Sequence, residues 1–167
     1  MGEMQKQEFE GKICLITGGA GSIGLASARR MYEAGGRIML VDLSHDSLAT
    51  AKASFEDQDR VATFEADVSD SVQTQNYISE TCSKWEKIDV LFANAGFSGT
   101  SAPITNYPDD VFDKVIAINV RGPFLACKYA LPKMNDGGSI IITSSIMGVT
   151  ARPGSIAYIT SKHAVIG

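Results

Sequence analysis

Two residues near the end of the chain, Tyr158 and Lys162, lie four residues apart. On a helix this spacing places both side chains on one face, where they can meet. A free phenol has a pKa of about 10, and a nearby ammonium group favours its phenolate form. Such a pair is able to donate or accept a proton near neutral pH. The alternative is an ordinary helix on which the two residues have no chemical role.

A hydroxyl group precedes this pair. Ser145 follows an apolar run that predicts a strand over 139–143, and Ser155 is a plausible N-cap for the helix that carries Tyr158. From the end of a strand, the Ser145 hydroxyl could hydrogen-bond to the oxygen atom that gains or loses the proton.

A glycine-rich turn near the start of the chain predicts a dinucleotide site. The sequence G-G-A-G-S-I-G stands between a predicted strand at 12–17 and a predicted helix at 22–34. Glycine lets the backbone approach a pyrophosphate closely, and the helix N-terminus supplies free N–H groups. The G-x-G-x-x-G order in this context is a dinucleotide fingerprint, although a plain turn remains the alternative. The candidate cofactor-binding residues are Gly18, Gly19, Gly21, Ser22, Ile23 and Gly24.

The second predicted strand, at 37–42, ends in Asp42 and is followed by Leu43. A carboxylate at this position accepts hydrogen bonds from ribose hydroxyls and repels a 2′-phosphate. The glycine turn contains no Arg or Lys, which also favours NAD over NADP. The alternative is that Asp42 caps the next helix.

Two further strands end in candidate binding residues. The strand predicted at 61–66 leads into Asp67 and Val68, where the carboxylate could contact an adenine amine or cap the next helix. The strand predicted at 88–93 leads into Asn94-Ala95-Gly96, where Gly96 allows a ligand to approach the backbone closely.

A long apolar-periodic segment at 109–131 is interrupted by Pro123. Proline has no N–H, so the carbonyl of Asn119 loses its helical partner and could bind water or another donor. A kinked packing helix without chemistry is the alternative.

The alternation of strands and helices predicts an α/β fold, a Rossmann-type doubly wound parallel sheet flanked by helices. Ligands bind at the carboxyl ends of the strands in such sheets. Every candidate residue lies at such an end or on an adjacent helix. We therefore expect all of them to belong to one ligand-binding site.

Composition excludes several classes of function. The 167-residue chain has a net charge of −4 and no basic block, so nucleic acid and membrane surfaces are poor candidate partners. The polar N-terminal tail lacks the apolar core of a signal peptide, and no apolar run approaches membrane-spanning length, so we expect a cytoplasmic protein. Three cysteines without a C-x-x-C pair indicate a reducing compartment, and two histidines without ligand-like spacing indicate no metal site.

Taken together, the motifs resemble those of the short-chain dehydrogenase/reductase family, from residue 12 to residue 167. The resemblance implies an NAD-dependent enzyme that interconverts a secondary alcohol and a ketone, with Tyr158 as general acid/base. It implies that Lys162 makes Tyr158 more acidic and binds the nicotinamide ribose. It also implies that Ser145 holds the substrate oxygen and that the Asn119 carbonyl places a relay water. A homodimer or homotetramer is the usual assembly in the family. The matching motifs are T-G-G-A-G-S-I-G, Asp42, Asp67-Val68, Asn94-Ala95-Gly96, Asn119, Ser145 and Tyr158-x-x-x-Lys162.

The sequence departs from the family pattern at two points. Ser22 replaces the middle glycine of the T-G-x-x-x-G-x-G order, and the resulting order is more typical of epimerase-like members. Family members also continue beyond the Tyr-bearing helix with further strands and a substrate loop. We therefore expect a flexible tail at 1–10 and a partial NAD-binding domain at 11–167. A catalytically silent dinucleotide-binding module and a sugar-nucleotide epimerase stay open as alternatives.

Overall fold

The computed structural model describes residues 8–167, which form one parallel five-stranded sheet. The strand order β3-β2-β1-β4-β5 reverses beside β1, as expected of a doubly wound sheet. This confirms the predicted fold class. The strands are β1 (Ile13–Thr17), β2 (Arg37–Asp42), β3 (Val61–Glu65), β4 (Ile88–Ala93) and β5 (Met134–Ile142).

Residues 1–7 of the predicted tail lie outside the described residues. Within the remainder, Phe9 is half-buried against the core and its N–H donates to the Ala34 carbonyl.

Both faces of the sheet are covered, and its central strands are mostly apolar, as expected of a parallel sheet. All residues of β1 and β4 are buried. Alternate residues point to opposite faces, so Ile16 and Leu40 belong to one core cluster, whereas Leu15 and Met39 belong to the other. The two clusters hold the sheet rigid beneath the strand ends.

Six α-helices within residues 8–167 flank the sheet. Ser44 accepts a hydrogen bond from the Ser47 N–H and caps α2, and Asp70 accepts one from the Gln73 N–H and caps α3. The capping alternatives for Asp42 and Asp67 are therefore wrong. The helices are α1 (Ser22–Glu33), α2 (His45–Ala53), α3 (Ser71–Trp85), α4 (Asp109–Ile116), α5 (Gly122–Ala130) and α6 (Ile156–Ala164).

The segment predicted as one kinked helix at 109–131 consists of three pieces. Helix α4 passes into a π-helical turn at Ala117–Arg121, and α5 begins directly after it. Pro123 lies in the first turn of α5, where a missing N–H costs little. The predicted interruption is thus present, and Asn119 lies within the wide turn.

The predicted start of the fifth strand at 139 is wrong, because β5 begins at Met134. Met134 pairs with Ile88, and Ser139 pairs with Val90. Between these two pairs, β5 advances by five residues and β4 by only two. The excess forms an irregular excursion in which Gly137 has a φ of 77°. Because this part of β5 is polar and rich in glycine, it is not recognised as a strand from apolar runs in the sequence.

None of the helices formed by residues 8–167 has both the length and the apolar character needed to cross a membrane. The same residues contain no cluster of three or more His, Cys, Asp or Glu side chains suited to a metal ion.

Candidate active site

A cleft of about 570 Å³ lies at the carboxyl ends of the strands. Thirteen of the predicted catalytic and cofactor-binding residues line it, together with six residues to which neither role was assigned. The predicted residues are Gly18, Gly21, Ser22, Ile23, Asp42, Leu43, Asp67, Val68, Asn94, Ala95, Gly96, Tyr158 and Lys162. The others are Ala66, Phe97, Ser98, Lys114, Ile118 and Thr143. Gly19, Gly24, Asn119 and Ser145 are not among the lining residues.

The glycine turn is shaped by close backbone approach. Gly18 has a φ of 63°, and a Cβ at this position would lie 2.9 Å from the Ala95 Cα. A Cβ at Gly24 would lie only 2.1 Å from the Gly18 carbonyl oxygen, and one at Gly19 would lie 3.0 Å from Leu40. Gly19 and Gly24 therefore allow the turn to fold, whereas Gly18 and Gly21 face the cleft.

Asp42 connects the glycine turn to the end of β2. Its Oδ2 accepts a 3.1 Å hydrogen bond from the Ala20 N–H, and its Oδ1 accepts a 2.8 Å bond from the Leu43 N–H. A carboxylate has about four acceptor sites, so two of them stay available to hydroxyl groups in the cleft.

Asn94 joins the ends of three strands. Its side-chain amide donates to the carbonyl oxygens of Thr17 and Gly18, and its Oδ1 accepts a 3.1 Å bond from the Thr143 hydroxyl. The buried Thr17 hydroxyl accepts from the N–H groups of Asn94 and Ala95. The floor of the cleft is therefore fixed by side-chain bonds between β1, β4 and β5.

Tyr158 and Lys162 both face the cleft from α6. The Lys162 Nζ lies 5.5 Å from the centroid of the Tyr158 ring and donates a 2.7 Å hydrogen bond to the Thr143 carbonyl. Lys162 is 3% exposed, and burial lowers its pKa because the charged amine loses water. A Cβ at Gly96 would lie 3.8 Å from this Nζ, so the amine stands beside the turn after β4.

The buried side chain of Asn119 holds α6 against the loop after β4. Its Oδ1 accepts a 2.7 Å bond from the Phe97 N–H, and its Nδ2 donates to the Phe97 carbonyl and to the Ser161 hydroxyl, both at 2.9 Å. The Ser161 hydroxyl in turn donates to the Tyr158 carbonyl at 2.7 Å. The interruption by Pro123 predicts a role for the Asn119 carbonyl, but the sequence does not indicate this role of the Asn119 side chain.

Ser145 lies just beyond the end of β5, before a short 3₁₀ turn at Ile146–Gly148. Its hydroxyl oxygen accepts a 3.2 Å bond from the Met147 N–H. The neighbouring Ser144 hydroxyl donates to the Lys162 carbonyl at 3.1 Å, which ties the end of β5 to α6. The role of Ser145 toward a substrate stays a prediction.

Thr143 belongs to the site although it was not predicted as a site residue. Its hydroxyl orients Asn94 and its carbonyl accepts from Lys162. The signal that could have found it is its position as the last residue of a predicted parallel strand, the same signal that identified Asp42.

Comparison with known proteins finds a matching family model and proteins of similar sequence. A family model described as short chain dehydrogenase matches residues 12–167. Levodione reductase from Leifsonia aquatica is 35% identical over 164 residues, covering 95% of this chain and 61% of the reductase. The 2-(R)-hydroxypropyl-CoM dehydrogenase from Xanthobacter autotrophicus is 38% identical over 161 residues, covering 93% of this chain and 64% of the dehydrogenase.

Solved structures of proteins from the same family are also similar to this chain. The crystal structure of an NAD⁺-bound xylitol dehydrogenase superposes with a TM-score of 0.92 at 38% sequence identity, covering 96% of this chain and 63% of that protein. The chain thus spans less than two thirds of the length of each of these three proteins.

Proposed function

The chain belongs to the short-chain dehydrogenase/reductase family, and from this premise we propose that it is an NAD-dependent oxidoreductase that interconverts a secondary alcohol and a ketone. The observation that carries the proposal is the position of Lys162. Its buried amine lies 5.5 Å from the centroid of the Tyr158 ring and donates to the Thr143 carbonyl, in the same cleft as the glycine turn and Asp42.

The residues of the cleft suit NAD. The N-terminus of α1 and the glycine turn would hold the pyrophosphate, because free N–H groups and the helix dipole favour anions there. Asp42 would accept hydrogen bonds from the adenosine ribose, and its charge disfavours a 2′-phosphate. Asp67 and Val68 would contact the adenine, and Asn94–Gly96 and Lys162 would contact the nicotinamide ribose. The similarity to an NAD⁺-bound xylitol dehydrogenase supports this assignment.

When bound, the nicotinamide supplies the hydride chemistry, which no amino-acid side chain provides. Tyr158 accepts the hydroxyl proton of an alcohol or donates a proton to the oxygen of a ketone. The Lys162 amine is held in the cleft by Thr143, where its positive charge would stabilise negative charge that develops during the proton transfer.

Ser145 positions the substrate oxygen in this proposal. Its oxygen already accepts from the Met147 N–H, which leaves the hydroxyl proton free to donate to a substrate oxygen. Asn119, through its main-chain carbonyl, places a water that passes the proton onward from Lys162.

We also propose that the protein associates with copies of itself. Phe124 in α5 and Leu131 directly after it are 61% and 58% exposed, and exposed apolar side chains can mark an interface. We expect a homodimer or homotetramer, which light scattering coupled to size-exclusion chromatography would detect. A monomer at micromolar concentration would contradict this part of the proposal.

The proposal is tested by titrating the protein with NADH and with NADPH and then assaying secondary alcohols with NAD. We expect NADH to bind more tightly than NADPH and at least one alcohol to produce NADH. Binding without turnover over a broad alcohol panel would favour a silent dinucleotide-binding module. Tightly retained NAD without net oxidation would favour an epimerase, and no binding of either nucleotide would refute all three functions.

A further inference from the structure

We propose that Glu65 is a second specificity-determining residue, which excludes a 2′-phosphate from the cleft by adding its charge to that of Asp42 and by engaging His45. The inference rests on the proposed use of NAD and deepens it. It assigns selectivity between two dinucleotides to a residue on β3 that does not line the cleft itself.

The register of the sheet places Glu65 next to Asp42. The two residues end β3 and β2, and they are direct partners in the parallel pairing of these strands. Adjacent strands lie about 4.8 Å apart, and side chains at paired positions leave the same face of the sheet. The Ala66 N–H donates to the Asp42 carbonyl at 2.9 Å, so the pairing continues to the strand ends. The two residues therefore stand next to each other on one face of the sheet, where the Asp42 carboxylate bonds to the glycine turn and the Glu65 carboxylate reaches toward His45.

His45 would attract a phosphate if the Glu65 carboxylate were absent. It is the first residue of α2, and its Nδ1 lies 3.6 Å from the Glu65 Oε2. An imidazole can carry a positive charge near neutral pH, and the N–H groups of a helix N-terminus also favour anions. Without Glu65, this end of α2 would attract a phosphate beside the ribose-binding Asp42. With Glu65 present, the imidazole already has an anionic partner.

The negative charge of Glu65 weakens the binding of NADP much more than the binding of NAD. A phosphate monoester carries between about 1.5 and 2 negative charges at neutral pH, whereas the 2′-hydroxyl of NAD carries none. Asp46, in the first turn of α2, adds a further carboxylate to this region. Glu65 therefore disfavours NADP through charge repulsion while leaving NAD nearly unaffected.

The test compares NADH and NADPH affinities by fluorescence titration in the unmodified chain, Glu65→Gln and Glu65→Lys. Glu80→Gln is the matched control, because it removes an equal charge from an exposed position of α3. We expect Glu65→Gln to bind NADPH about tenfold more tightly, Glu65→Lys more tightly still, and NADH affinity to stay within about twofold in both. The gain should shrink in about 1 M salt, where the Debye length is about 3 Å.

Each outcome bears on a definite claim. Unchanged NADPH affinity in Glu65→Gln, or an equal gain in Glu80→Gln, would overturn the inference while NADH binding keeps the proposed function intact. A gain that persists in high salt would also overturn it, because the effect would then be steric. Failure of the unmodified chain to bind either nucleotide would instead refute the proposed function, and the inference would fail with it.

Discussion

Lys162 donates a 2.7 Å hydrogen bond from its buried amine to the main-chain oxygen of Thr143. The bond connects α6 to the end of β5 and keeps the amine 5.5 Å from the centroid of the Tyr158 ring. The side chain is thereby held inside the cleft, away from solvent. This is the arrangement that the four-residue spacing of Tyr158 and Lys162 predicts, and it makes the proton-transfer hypothesis specific enough to test.

The glycine turn gives the first prediction. Gly24→Ala should destabilise the fold by about 1–3 kcal/mol and abolish NADH binding, because the new Cβ would lie 2.1 Å from the Gly18 carbonyl and force the turn open. Alanine is otherwise favoured in a helix over glycine by about 1 kcal/mol, so a loss cannot come from helix propensity. Urea unfolding and nucleotide titration measure both effects.

Gly21→Ala is the matched control for this prediction. Its Cβ would lie 3.3 Å from the same carbonyl, a contact that a small shift relieves. Equal losses of stability in the two variants would show that the close approach at Gly24 does not shape the turn.

The second prediction concerns the bond between Asn119 and Ser161. Ser161→Ala removes an acceptor from the buried Asn119 amide and should lower the free energy of unfolding by about 1–3 kcal/mol. Thr160→Ala changes an exposed neighbour on the same helix and should stay within about 0.5 kcal/mol. Chemical denaturation of both variants provides the comparison, and similar losses in the two would show that the Asn119 bond contributes nothing specific.

Asp89 gives a prediction about pH. Burial of this β4 carboxylate works to raise its pKa, but hydrogen bonds from the Ile13 N–H, Asn135 and Lys12 outweigh burial and hold the pKa below its ordinary value. A depressed folded-state pKa means that the charged form stabilises the fold above the unfolded-state value of about 3.9. That stabilisation is lost as the pH falls through the lower, folded-state pKa.

Asp89→Asn should therefore cost about 1–3 kcal/mol at pH 7 and much less at a pH below the lowered folded-state pKa, where the native carboxyl also becomes neutral. Urea unfolding at the two pH values measures the difference, with the exposed Asp113→Asn as control. A cost that is the same at both pH values would contradict the assignment of charge-dependent stability to Asp89.

The sequence predicted the fold well where burial is continuous. The bounds of β2 and β4 agree with the predicted runs, because a strand buried on both faces is recognised by its mostly apolar sequence. The first half of β5 could not be found in this way. Met134 is in the sheet because Ile88 pairs with it, and that pairing depends on the tertiary structure.

The site was predicted as far as it depends on strand ends. Asp42, Asp67 and Asn94 follow parallel strands, and the carboxyl ends of such strands gather at one edge. The bonds of the Asn119 side chain could not be predicted, since its partners Phe97 and Ser161 are distant in sequence. Glu65 was missed for a related reason, because its position beside Asp42 depends on the register of two strands.

The central claim is that Tyr158 transfers the proton while the rest of the cleft binds the nucleotide. The most direct measurement compares NAD-dependent turnover and NADH affinity in Tyr158→Phe, with the alcohol that the unmodified protein oxidises best. We predict that turnover falls by about 10²–10⁴-fold and that the NADH dissociation constant changes by less than about threefold. Turnover that survives the loss of the hydroxyl would contradict the assignment of Tyr158 as the general acid/base.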